Sequence, residues 1–360
     1  MIHTIIQKGP FCKRSLGAQS SAAAAKRLLG PLAVVKIVDG SARPQGLTSL
    51  DMGFFVADLP LWIPRSWRHG LCARAERRWG SLRFVQKRFS VSQEADVLRC
   101  LYLAFTRTSR LSSRPVPLVL GLSQGDESGQ VLMEDLPGIG ALELTAPAEA
   151  AALAEHIFRL ETCLAEAEDC SGIALERHRI LANLRRLRIL MRRTEDPSYD
   201  RLGLIRRVNA LAKALEGYPT VLNHNDIGPG NMAVRKISGS GSESESGSEA
   251  ELEIRFIDFG SVNHNVIGAD LHHYAAWGLD SSERYLFFEH LSSRYAQLIS
   301  QSVARVRAGA YAYALERSMM RWWRRKERQQ FPARARAFLL RIEILLERAE
   351  AEMVMASQES

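Results

Sequence analysis

No apolar run in this chain of 360 residues approaches the roughly 20 residues that a membrane-spanning helix needs. The five cysteines (Cys12, Cys72, Cys100, Cys163 and Cys170) are scattered, and no two form a CxxC pair. Neither a disulfide framework nor a zinc site is indicated, and a reducing compartment is the simplest setting. There is no G-x-x-x-x-G-K-[ST] phosphate loop, so a P-loop fold has no support, and no internal repeat that would mark a solenoid. Acids are missing from the first 38 residues, which carry Lys8, Lys13, Arg14, Lys26, Arg27 and Lys36. That Ser- and Ala-rich stretch has no long apolar centre and does not fit a secretory signal. It reads as a disordered basic tail over 1–44 in a cytoplasmic protein, with a mitochondrial transit peptide as the alternative.

With 46% apolar and 24% charged residues, the rest has an ordinary globular composition, and its length suits two lobes rather than one small core. The net charge of +8 is uneven. Basic residues gather at the start and in the last third, and an acidic insert, SGSGSESESGSEAE (238–251), lies between them. The insert has no apolar residue except Ala250 and cannot bury enough surface to order itself.

Strand signals dominate 45–138. GFFVADLPLWI (53–63) is β-rich. RWGSLRFVQKRF (78–89) alternates Leu82, Phe84, Gln86 and Arg88 against Arg83, Val85, Lys87 and Phe89. SVSQEADVLRCLYLAF (90–105) then reads as a helix with Val97, Leu98, Leu101 and Phe105 at helical spacing, Ser90 or Ser92 as cap and Glu94 in its first turn. PVPLVLGLS and QVLMEDL flank the turn material GDESG and form a hairpin. From 139 to 356 the chain is mainly helical, with helices expected over 148–169, 174–193, 201–215 and from 269 onward. The exception is a hairpin made of MAVRKI and LEIRFIDFG around the acidic insert.

That hairpin carries the chemistry. HNDIGPGN (His224–Asn231) has the form H-x-D-x-x-x-x-N, and IDFG (257–260) and GADL (268–271) follow. Phosphoryl transfer from ATP needs one carboxylate beside the acceptor hydroxyl, to orient it and take its proton, and Asp226 suits that role. Magnesium prefers hard oxygen ligands and keeps several waters, so the protein need supply only one or two groups. Asn231 and Asp258, at the two ends of the hairpin, suit that role. Any one of these pieces occurs often by chance, but their ordered combination does not.

The region resembles the aminoglycoside phosphotransferase and choline kinase family, whose fold is protein-kinase-like. The resemblance implies an α+β, two-lobed molecule with a small β-rich N-terminal lobe and a larger helical C-terminal lobe. It implies Asp226 as base, magnesium on Asn231 and Asp258, His224 orienting the loop, and Asp270 bracing it, although the Gly268-to-Asp270 spacing is shorter than the family's. It also implies a strand lysine paired with a helix glutamate on the nucleotide phosphates. Lys87 and Glu94 fit, with Lys36 as a competing lysine. VLMEDLPG resembles the hinge that holds adenine, with Glu134, Asp135 and Leu136 as its backbone contacts. A Gly-rich loop before Lys87 is absent.

Two functions follow: an ATP- and Mg2+-dependent kinase acting on a small-molecule alcohol, or a catalytically weak kinase-fold protein that binds nucleotide or an anionic partner. The Arg-rich C-terminal lobe favours a neutral or anionic acceptor over a polycation, and no nucleic-acid partner is expected. In RSMMRWWRRKERQQ (317–330), Arg321, Arg324, Arg325 and Arg328 share one helix face. That face is read as a solvated surface beside packed tryptophans, with peripheral membrane contact as the sharper alternative. His272 and His273, adjacent on a helix, point about 100° apart and do not suit one metal ion.

Overall fold

The computed structural model describes residues 34–37, 49–58, 81–90, 93–107, 115–117, 119–124, 128–134, 136, 144–180, 200–237, 251–324 and 331–359. In chain order the elements are β1 (Val34–Ile37), β2 (Ser49–Asp58), β3 (Ser81–Ser90), α1 (Gln93–Arg107), β4 (Val119–Gln124), β5 (Ser128–Glu134), α2 (Pro147–Ser171), α3 (Arg201–Leu215), β6 (Thr220–Asn223), β7 (Met232–Ile237), β8 (Glu251–Phe256), β9 (Asn263–Val266), α4 (His272–Trp277), α5 (Ser282–Leu298), α6 (Val303–Arg324) and α7 (Phe331–Gln358).

These elements form two compact units. The first comprises Met1–Leu142, Thr162–Leu175 and Pro229–Val262, and the second Glu143–Glu161, Glu176–Gly228 and Asn263–Ser360. This is not a contiguous split at 138/139: the β7–β8 hairpin belongs with the N-terminal strands.

In the first unit, five antiparallel strands run in the order β1-β2-β3-β5-β4. The alternating segment before α1 becomes the central strand β3, in register with β2 from Ser81↔Asp58 to Phe89↔Ser49 and with β5 from Phe84↔Glu134 to Ser90↔Ser128. Part of the stretch expected to be a disordered tail, Val34–Ile37, is instead a strand on β2, consistent with its β-branched sequence VVKI. The remaining residues of 1–44 lie outside the described residues. Helix α1 packs against β4 and the 3-10 turn Phe259–Ser261 and buries Val97, Leu98 and Leu101 completely. The hairpin pairs Met232↔Phe256 through Ile237↔Glu251. Glu251, assigned to the acidic insert, thus begins β8, and 238–250 lie outside the described residues.

In the second unit, β6 and β9 pair antiparallel, and α6 packs on α7, α4 and the 3-10 turn Ala269–Leu271. The close approach of α6 depends on small residues: Ala308, Gly309, Ala310, Ala312 and Ala314 are all buried. A Cβ at Gly309 would stand 2.0 Å from the Ile267 carbonyl oxygen, and one at Gly268 would stand 2.2 Å from the Val306 carbonyl oxygen. Gly268 also has φ +82°, which glycine adopts without steric cost.

The helix expected over 174–193 does not begin there. Helix α2 ends at Ser171, Gly172 follows at φ 68°, and the next residues are not helical. The His178 N–H donates to the His264 carbonyl at 2.7 Å, and the His264 N–H donates to the Glu176 carbonyl at 2.9 Å. Backbone pairing with β9 overrides helix propensity in this segment. Residues 181–199 lie outside the described residues. Helix α3 matches its expected span and is capped by Asp200, whose Oδ1 accepts from the Gly203 N–H at 2.8 Å.

Candidate active site

The motif residues occur in two local constructions, one in each unit. In the second unit, β6 runs into the loop His224–Gly228, and a buried carboxylate holds that loop. Asp270 Oδ2 accepts from the His224 N–H at 3.0 Å, and its Oδ1 accepts from the Asn225 N–H at 2.5 Å. Burial pushes the Asp270 carboxyl up to about 7 against the opposing effect of those two hydrogen bonds, and the Asp226 charge adds to the rise. Asp226 is the next residue of the loop and is partly exposed.

Asparagines build the rest of the brace. Asn225 has φ 62°, a left-handed conformation that Asn tolerates better than most residues. Its Nδ2 donates to the Asn223 carbonyl at 3.1 Å and to Asn263 Oδ1 at 2.9 Å. Its Oδ1 accepts from Asn265 Nδ2 at 2.6 Å. Asn223, Asn225 and Asn265 are fully or almost fully buried. The motif alone does not point to this network, although a signal for it is present: the triplet Asn-His-Asn occurs at 223–225 and again at 263–265, and Asn223 pairs with Asn263.

Two side chains of α6 reach this loop. The Tyr313 hydroxyl donates to the Asn225 carbonyl at 3.4 Å, and burial holds its proton well above the ordinary tyrosine range. Arg317 Nη2 donates to Asp226 Oδ1 at 2.5 Å. The neighbouring Glu316 is turned to His178, whose Nε2–H donates to it at 2.9 Å. Arg317 opens the basic stretch 317–330, whose composition alone does not connect it to Asp226. Of that stretch, the side chains of Arg321, Trp322, Trp323 and Arg324 and the whole of Arg325 and Arg328 lie outside the described residues.

In the first unit, Asn231 ends the 3-10 turn Pro229–Asn231, and its carbonyl accepts from the Ile257 N–H at 3.0 Å. Asn231 and Asp258 therefore stand at the same end of the β7–β8 hairpin. Asp258 has φ 66° and ψ 75°. Both donors are hard oxygens on partly exposed residues, and among the described residues no cluster of three His, Cys, Asp or Glu offers a competing metal site. This pair fits magnesium, which takes few protein ligands.

Of the expected nucleotide contacts, Lys87 lies on β3 in register with Met52 and Val131, with its side chain outside the description. Glu94 is buried in the first turn of α1. Glu134 ends β5, and its buried carboxylate accepts from Arg255 Nη1 at 2.8 Å. Arg255 also donates to Glu253 through Nε at 2.7 Å and through Nη2. This partner on β8 was not evident from the hinge segment. Leu136 is buried, and Asp135 lies outside the described residues.

No family model and no curated protein matches the chain. Among solved structures, a macrolide 2′-phosphotransferase from Brachybacterium faecium aligns over 90% of this chain and 98% of its own, at 14% identity and TM-score 0.50. The chain has the protein-kinase-like fold of that phosphotransferase. A choline kinase from Cryptosporidium parvum Iowa II aligns over 90% and 91% at 14% identity, and a putative fructosamine-3-kinase from Haemophilus somnus 129PT over 91% and 97% at 12%, each with TM-score 0.46. A kinase-like fold leaves the reaction to be argued from the residues of the site.

Proposed function

We propose that this protein is an ATP-dependent phosphotransferase acting on the hydroxyl of a small, neutral or anionic molecule. Asp226 is the base, Asn231 and Asp258 hold magnesium, and Lys87, Glu94 and the Glu134–Leu136 segment contact the nucleotide. The observation that carries the reading is the brace on the catalytic loop: Asp270 holds the backbone of His224 and Asn225, and the next residue is the partly exposed Asp226. A buried carboxylate with two backbone donors and a ring of asparagines makes a rigid support for one presented side chain. Asp226 then accepts the proton of the acceptor hydroxyl as its oxygen bonds to the γ-phosphorus and ADP departs. Magnesium, when bound, neutralises charge on the phosphate oxygens.

The aromatic side chains of the second unit favour the same acceptor class. A choline-like cation needs open aromatic faces. Here the Arg284 guanidinium lies over Trp277 at 5.0 Å, and that of Arg348 lies over Tyr285 at 5.5 Å.

Two variants test the reading. Mg-ATP should raise the melting temperature, and Asp258→Ala should abolish the rise. Asp226→Asn should keep the rise while turnover, measured as ADP release, falls by ~10²–10⁴. No stabilisation at millimolar Mg-ATP would refute the proposal.

A further inference from the structure

Among the described residues, Arg207 and Arg255 present the side edge of the guanidinium, Nε–H and Nη2–H, to one carboxylate, whereas Arg317 uses that edge only in part. Arg207 donates to Glu350 through Nε at 3.1 Å and through Nη2 at 2.5 Å. Arg255 donates to Glu253 through the same two nitrogens. Arg317 donates through Nη2 to Asp226, but its Nε is buried and has no hydrogen-bond partner among the described residues. A buried donor left unmet is costly, and a half-used fork at a proposed catalytic base has a natural completion. The planar edge fits two oxygens of one carboxylate or phosphate.

We infer that Arg317 is the specificity-determining residue of the acceptor site and that the acceptor alcohol carries a carboxylate or phosphate close to the hydroxyl that is phosphorylated. This rests on the phosphotransfer reading and narrows its acceptor class. The anionic group of the acceptor takes the Nε and Nη2 edge of Arg317. Asp226 Oδ1 gives up that donor and accepts the hydroxyl instead. Because Arg317 and Asp226 are in direct contact, the two functional groups of the acceptor sit a few bonds apart, as in a short hydroxy acid or a phosphorylated short polyol. Two other carboxylates close in sequence or on the loop are engaged elsewhere. Glu316, the nearest carboxylate in sequence, is buried against His178. The Asp270 carboxylate faces the backbone of His224 and Asn225. The Arg317 charge would repel an ammonium group held at the same place.

The test is a matched set of three-carbon probes: glycerate, glycerol 3-phosphate, glycerol and 3-amino-1,2-propanediol. ADP release is measured with each, together with melting shifts in the presence of Mg-ADP. At least one anionic probe should exceed glycerol in kcat/KM by about 30-fold or more, the worth of a charge-assisted bidentate contact, and the amine should fall below glycerol. Whichever anion leads identifies the group. Arg317→Gln should shrink the anion-to-glycerol ratio to about threefold or less, with most of the change in KM, and Arg317→Lys should restore part of it. The Mg-ATP melting shift of Arg317→Gln reports whether the variant is folded. If Mg-ATP fails to stabilise the wild type, the phosphotransfer reading falls and this inference falls with it. If Mg-ATP binds but the neutral or cationic probe is used as well as the anions, if neither anion reacts or binds, or if Arg317→Gln keeps the discrimination, the inference alone is overturned.

Discussion

Replacing Asp270 with asparagine separates the charge of the brace from its shape. Asp270 is fully enclosed, and its carboxyl is raised from an ordinary 3.8 to about 7. Above about pH 4 the unfolded chain releases this proton while the folded chain keeps it. The Asp270 contribution to stability is therefore fully present below about pH 4 and is lost progressively as pH rises toward 7. The slope is about 1.4 kcal/mol per pH unit, or about 2 kcal/mol between about pH 5 and about pH 7. Asparagine has no proton to release, so Asp270→Asn should show a flatter stability profile. The amide has one acceptor oxygen for the two N–H groups of His224 and Asn225, which costs about 1–3 kcal/mol at every pH. Denaturant melts of both proteins at several pH values give the comparison. The difference between them should shift by about 2 kcal/mol toward the variant from about pH 5 to about pH 7, while turnover drops because the loop has lost a fixed hydrogen bond. Parallel profiles would mean that Asp270 is ionised throughout and that its two backbone donors outweigh its burial.

Further outcomes follow from the same contacts. Gly309→Ala places a methyl group within 2.0 Å of the Ile267 carbonyl oxygen. It should destabilise the protein by about 1–3 kcal/mol and lower turnover more than nucleotide binding. A variant as stable and active as the wild type would show that α6 can retreat freely. The Tyr295 hydroxyl donates to the buried Glu161 carboxylate at 2.6 Å. Glu161→Leu alone should cost about 1–3 kcal/mol by leaving that hydroxyl without an acceptor, and the double variant with Tyr295→Phe should recover most of the loss. Additive losses in thermal melts would count against the pair. Deleting 238–250 and closing the hairpin with a short turn should change activity little, because loop-closure cost grows only with the logarithm of length. A large loss in the ADP-release assay would give the acidic insert a role of its own.

Much of this architecture is legible in the chain because the deciding signals are local. The alternation around Phe84 specifies a strand, the stripe Val97–Leu98–Leu101 specifies α1, and the helix expected over 201–215 is α3. The motif residues are legible for the same reason, since a short loop and a hairpin bring them into order along the sequence. What escaped depends on contacts between distant segments. The non-helical backbone around Arg177 is set by pairing with β9, some ninety residues away. The Arg255 partner of Glu134 lies 121 residues from it. The Arg317 partner of Asp226 lies 91 residues from it, and the composition of the basic stretch obscures it.

Helix α6 shows how such distant contacts serve one end. Gly309, Tyr313 and Arg317 are spaced four residues apart and so share one helix face. Gly309 meets the Ile267 carbonyl, Tyr313 donates to the Asn225 carbonyl, and Arg317 donates to Asp226. One rigid face therefore touches the turn that leads into Asp270, the residue that Asp270 holds, and the residue that the loop presents. The backbone approach at Gly309 sets how closely the helix lies on the turn, and with it the reach of Tyr313 and Arg317. The position of Arg317 is then a property of the packing of the unit rather than of a flexible surface side chain. An acceptor that engages Arg317 is bound to a group whose distance from Asp226 the fold has already set. On this account, acceptor choice and loop rigidity should respond together to changes along this face. They should be indifferent to changes at the basic residues farther along the helix.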